Sequence, residues 1–251
     1  MAWLGALIAA IAAPHAPPVT VAVVDTGANV RVPALAAKHP ATYDLRTHGR
    51  DVRDLNGHGT KVASLIAGAG GNARLLIIRA GSASGAFSDA GEAAAIRYAV
   101  GHGARIINLS LGGPRTSAVE RSAIAFAIAR GVLIVAAAGD DYASRPEYPA
   151  ALLGSAGLAV AAVGPSGERE LFSNTGPWVS VAATGVDGTS FAAPLVSAAA
   201  AQVWQANPSL TARQVVSVIE GTASGRGVRT DQLGFGVVNP ALAVAAARSL
   251  G

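Results

Sequence analysis

Five short runs of the chain are apolar at nearly every position: residues 19–25 (VTVAVVD), 74–80 (RLLIIRA), 104–111 (ARIINLSL), 132–138 (VLIVAAA) and 158–163 (LAVAAV). A strand with one wet face alternates between apolar and polar residues, so continuous runs predict strands covered on both faces. Between them the spacing predicts helices over 58–68, 88–100 and 116–130. Strand and helix alternate, which predicts an α/β fold: three layers, with a mostly parallel central sheet and helices on both faces. A further helix over 190–206 is apolar on almost every side. Pro194, Ser197, Gln202 and Gln205 within it point to a buried central helix rather than a membrane span. Near the end, Thr211 and Gln214 form a capping-box pattern, Gly221 is expected to close that helix, and Asn239-Pro240 to open the last one.

Residues 1–13 (MAWLGALIAAIAA) are apolar throughout and lead into a Pro-rich stretch at 14–18. The run is shorter than the roughly 20 residues a membrane span needs and suits the apolar region of a secretory signal or a tether. The expected organisation is therefore an exported chain: a signal-like or tethering segment over 1–18, then one domain over 19–251.

Composition narrows the chemistry. At 51% hydrophobic and 14% charged, the 251 residues have ample material for a core and are no disordered chain. The absence of Cys excludes disulfides, thiolate catalysis and Cys-ligated metals. The excess of 19 basic over 15 acidic residues gives only +4, with no basic run, so no nucleic-acid partner is expected.

Three polar residues punctuate this apolar chain. Asp25 ends the first strand in Val23-Val24-Asp25-Thr26-Gly27. His58 opens a helix in Asn56-Gly57-His58-Gly59-Thr60-Lys61-Val62-Ala63, and Ser190 opens another in Gly188-Thr189-Ser190-Phe191-Ala192-Ala193-Pro194. Singly they read as a turn, a loop histidine and a helix cap. Together, in the order Asp, His, Ser, they resemble the motifs of the subtilisin-like serine proteases, the subtilases. Asn108-Leu109-Ser110-Leu111-Gly112-Gly113, Phe172-Ser173-Asn174 and 233–239 (LGFGVVN) are similar to further family segments. The resemblance implies a subtilisin-like fold and a serine endopeptidase acting on protein or peptide substrates. Ser190 would be the nucleophile, His58 the base and Asp25 its orienting partner. The backbone N–H of Ser190 would face the oxyanion, and Ser110, Leu111, Gly112, Ala138 and Gly139 would line the substrate cleft.

The chain also departs from the family. Residues 134–139 end in Gly139-Asp140, where the family places an Asn that donates to the oxyanion. An ionised Asp only accepts, so Asp140 in the oxyanion hole implies weak activity at neutral pH, unless burial and the neighbouring Asp141 keep it protonated. This opens a second reading, an impaired homologue that binds peptides or proteins. The turn before Ser190 is short, with only Val186 and Asp187 between Gly185 and Gly188, and Ser197 replaces a Gly and is expected to crowd a helix contact. Only 18 residues precede Val19, so the pro-domain of secreted family members is expected to be absent, with folding unaided or helped by a separate chaperone or inhibitor partner. No cofactor is evident and no metal site is expected; calcium enters by family resemblance only, with Asp51 and Asp54 read as solvated loop residues.

Overall fold

The computed structural model describes residues 18–250. The signal-like segment expected over 1–18 falls, but for its last residue, outside the described residues. The five apolar runs form strands: β1 (Thr20–Asp25), β3 (Arg74–Arg79), β4 (Ile106–Leu109), β5 (Leu133–Ala137) and β6 (Leu158–Val163). Two short strands join them, β2 (Ala41–Asp44) and β7 (Val181–Thr184), giving one parallel sheet in the order β2-β3-β1-β4-β5-β6-β7.

The continuous apolar runs have the predicted cause. In β1, Val21 and Val23 face one core while Ala22 and Val24 face the other; in β3, Leu75 and Ile77 divide from Leu76 and Ile78 in the same way. The helices α3 (Asp89–Gly101) and α4 (Ala118–Ala129) cover one face. The other face is covered by α2 (His58–Ala69), α5 (Thr189–Ala206), α6 (Ala212–Thr222) and α7 (Pro240–Ser249), while the one-turn α1 (Pro33–Ala36) packs beside α2.

The helix α5 is the centre of the molecule. It packs against β4, β5, β6, β7 and α2, and its Ala198, Ala199, Ala200 and Ala201 are all buried. Ser197 does not crowd this contact. Its hydroxyl fits by donating to the buried Asn108 Oδ1 at 2.8 Å. The capping box of Thr211 and Gln214 forms, and Asn239 caps α7 by accepting from the Leu242 N–H. Gly221 does not end its helix, which runs on to Thr222.

The chain lays β1, β2 and β3 on one side and then crosses to β4, so β1 lies between β3 and β4. Such reversals leave a crevice beyond the carboxyl ends of the strands. Asp25 ends β1 there, and Ser110-Leu111-Gly112 continue from β4.

Candidate active site

On one side of this crevice, Asp25 is fully buried and His58 is the first residue of α2. His58 Nδ1 lies 2.8 Å from Asp25 Oδ1, which also accepts from the Thr26 N–H at 2.7 Å. Donation from Nδ1 leaves Nε2 as the free base. Gly59 makes the close approach possible, since a Cβ there would stand 2.2 Å from Gly27 O and 2.9 Å from Asp25 Oδ1. Burial disfavours the imidazolium, yet the Asp25 carboxylate, by hydrogen bond and charge, and Asp54 beyond it hold the His58 pKa above its ordinary value.

Asp54 is no solvated loop residue. Its Oδ1 accepts from the Thr26 hydroxyl (2.9 Å), Asn56 N (3.1 Å) and Gly57 N (2.8 Å), and its Oδ2 accepts from Thr60 N (2.9 Å) and the Thr60 hydroxyl (2.6 Å). It thus satisfies the open N–H groups at the start of α2, where Gly57 has no side chain to do so. Partial burial works against its charge, but these hydrogen bonds hold its pKa below the usual carboxylate range. Asp51, by contrast, is exposed and pairs with Arg53. Among the described residues no group of three or more His, Asp or Glu is placed to hold a metal ion.

On the other side, Gly188 occupies the cap position of α5 and Ser190 is the second helical residue. The Ser190 hydroxyl donates to Ser110 O at a long 3.3 Å. Behind it runs a buried chain of bonds: Ser197 Oγ to Asn108 Oδ1 (2.8 Å), Asn108 Nδ2 to Ser110 Oγ (2.9 Å), and Ser110 Oγ to Ser190 O (2.7 Å). The chain ties the first turn of α5 to the end of β4. The His58 ring lies 5.4 Å from that of Phe191, next to Ser190. The fold therefore brings Asp25, His58 and Ser190 to one place. Asp25 and His58 are joined, and no hydrogen bond links the side chains of His58 and Ser190 among the described residues.

Asp140 is exposed. Its Oδ1 accepts from the Thr189 N–H at 2.8 Å, and Thr189 Oγ1 in turn accepts from Gly139 N at 3.2 Å. Of the expected cleft residues, Ser110, Leu111 and Ala138 are buried, and Ser110 is committed to the bonds above. Gly139 spends both backbone groups, on Thr189 and on Asn174 N. Leu111 and Gly112 lie beyond the β4 ladders, which end at Leu109 on both sides. Glu147 is a further polar residue of this region, with no motif to mark it. It is buried, with Oε2 unpartnered, and Oε1 would stand 2.8 Å from a Cβ on Gly112.

Comparison with known proteins bears on the family and the fold. The family described as the subtilase family matches residues 17–237. The chain is 35% identical over 245 residues to an alkaline protease of Alkalihalobacillus alcalophilus, with 85% of this chain and 64% of that protein covered. It is equally similar, at 35%, to subtilisin Savinase of Lederbergia lenta, of which it covers 90%. Its structure resembles the crystal structure of a cold adapted subtilisin-like serine proteinase, with a TM-score of 0.78, 30% identity and coverage of 88% of this chain and 86% of the other.

Proposed function

The chain belongs to the subtilase family, and from that premise we propose that it is a serine endopeptidase in which Asp25, His58 and Ser190 form the catalytic triad. The observation that carries this is the 2.8 Å bond from His58 Nδ1 to buried Asp25, with the ring set beside the first turn of α5. The Ser190 hydroxyl attacks the scissile carbonyl carbon and passes its proton to His58 Nε2. Asp25 stabilises the imidazolium that results. The Ser190 N–H and the positive end of α5 stabilise the oxyanion. Collapse expels the amine, which takes the proton from His58, and water repeats the sequence on the acyl-enzyme. Protein or peptide chains are the substrates. Export through the apolar segment over 1–13, and a separate chaperone or inhibitor, belong to the same proposal.

Reaction with a serine-directed fluorophosphonate tests it. Labelling of the wild type that is lost in Ser190→Ala supports the triad. An unlabelled wild type overturns turnover, and labelling that survives the substitution overturns the residue assignment.

A second reading rests on Asp140. Its carboxylate takes the Thr189 N–H and offers no donor to an oxyanion. A missing side-chain donor in such a hole costs about 10² to 10³ in kcat. The alternative is therefore a homologue that holds peptides and turns them over slowly, and a purified protein that binds peptide without labelling would favour it.

A further inference from the structure

Gly112 follows β4 and Gly139 follows β5, and the Glu147 side chain packs against both glycines. A Cβ on Gly112 would stand 2.8 Å from Glu147 Oε1, and one on Gly139 would stand 2.9 Å from Glu147 Cγ. The segment is fastened in place: Tyr148 and Gly113 exchange two backbone hydrogen bonds of 2.9 Å. Both glycines are near the nucleophile in the bonding pattern. Gly112 is two residues from Ser110, whose hydroxyl and carbonyl both bond to Ser190, and the Gly139 N–H bonds to Thr189.

Glu147 is 6% exposed, and its Oε2 has no partner. A buried carboxylate oxygen without a donor costs free energy in a protein at rest and is explained when a ligand supplies the donor. The surrounding charge fixes the ligand's sign. Asp140 and Asp141 join Glu147 at this end of the cleft, and the cation nearby, Arg145, is engaged with Asp141 at 3.3 Å.

We infer that Glu147 is the acidic floor of the pocket that receives the P1 side chain, the residue on the acyl side of the scissile bond, and that the enzyme selects lysine or arginine there. The inference rests on the endopeptidase reading. An apolar P1 side chain would bury the carboxylate further without pairing it, and an acidic one would be repelled. Asn174 Nδ2 is also buried without a partner and would meet a Cβ on Gly139. Gly139 is thus flanked by an unpartnered donor as well as by Glu147, which makes glutamine the neutral competitor to test.

Burial, with Asp141 and Asp140 adding to it and Arg145 opposing, lifts the Glu147 pKa to about 7. Preference for a cation therefore strengthens as pH rises through that region. A ratio of two substrates cancels the ionisation of His58 and isolates this effect.

The test uses fluorogenic peptides identical except for Lys, Arg, Gln or Leu at P1. The expected wild-type ratio of kcat/KM for Lys over Leu is at least about 30-fold at pH 8.5. It is expected to be smaller at pH 5.5 and to fall towards one in Glu147→Gln. A wild type that reacts with fluorophosphonate yet cleaves after Leu or Gln as well as after Lys overturns the pocket and leaves the endopeptidase reading standing. If nothing is turned over, calorimetry of the same peptides with Ser190→Ala decides the pocket alone. Tighter binding of the Lys peptide, lost when Glu147→Gln is added, supports it, and equal binding of all four overturns it.

Discussion

The two sides of the crevice differ in how far their carboxylates are hydrogen-bonded. On the His58 side, Asp25 Oδ1 and both oxygens of Asp54 are met by backbone N–H groups, hydroxyls and the imidazole, and Asp25 Oδ2 is left without a partner. On the far side, Asp140 takes one N–H, Glu147 Oε2 takes none, and Asp141 holds an exposed arginine. The first arrangement fixes a base before any substrate arrives. The second leaves acceptors open, as a surface that must receive a ligand does. Preorganisation belongs where a proton moves and vacancy where a side chain is chosen.

The largest test of this contrast is Asp54→Ala. It removes the acceptor for five donors, so a loss of about 3 kcal/mol in stability is expected by thermal or denaturant unfolding. Because the Asp54 charge helps hold the His58 pKa up, the acid limb of the kcat/KM profile should also move to lower pH. The sign follows from the proposed triad: His58 must be neutral to accept the Ser190 proton, so a lower pKa extends activity towards acid. Unchanged stability would mean that the His58 side is no more braced than the far one.

A smaller effect is expected from Asp140→Asn. The substituted side chain keeps Oδ1 for the Thr189 N–H and replaces an acceptor with an amide donor. If Oδ2 faces the oxyanion, kcat at neutral pH should rise about tenfold, with KM little changed, within the range such donors command. An unchanged kcat would place the second oxygen elsewhere and remove Asp140 from the oxyanion hole.

The same contrast explains what could be read from the sequence. The buried strands were legible because two-sided burial leaves no polar position, as in Val21 to Val24. The strands β2 and β7 were not: each is a four-residue edge strand, Ala41–Asp44 has only one buried residue, and the buried run of Val181–Thr184 is only three residues long. Asp25, His58 and Ser190 were legible as motifs. Asp54 was misread because a lone acid in a Gly-Asn loop is usually solvated. The available signal was its place four residues before His58 and six before Thr60, where it can reach the unpaired N–H groups of a helix start. Glu147 had no such signal. Only the packing of its segment against Gly112 and Gly139, both distant in sequence, gives it a meaning.

A third pair of acids, far from the chemistry, provides the smallest and most discriminating test. Glu92 and Glu120 stand in the first turns of α3 and α4, both buried, each with one oxygen unpartnered. Burial, then Glu120 and Asp89, raise the Glu92 pKa to about 8 from 4.5. The native state therefore holds a proton that the unfolded chain releases, and stability is complete below the unfolded pKa and declines as pH rises towards about 8. Glu92→Gln should remove that decline. A gain of about 1 kcal/mol, or a few degrees in Tm, is expected at pH 8.5 and should shrink towards pH 4.5. Glu147→Gln should stabilise the free protein in the same direction, since its carboxylate is buried and raised for the same first reason. The two differ in one respect. A buried acid that is merely tolerated changes stability alone, whereas one kept open for a cationic side chain changes stability and the Lys-to-Leu ratio together. If Glu92→Gln also shifted that ratio, the open side of the crevice would lose its distinction from the rest of the molecule.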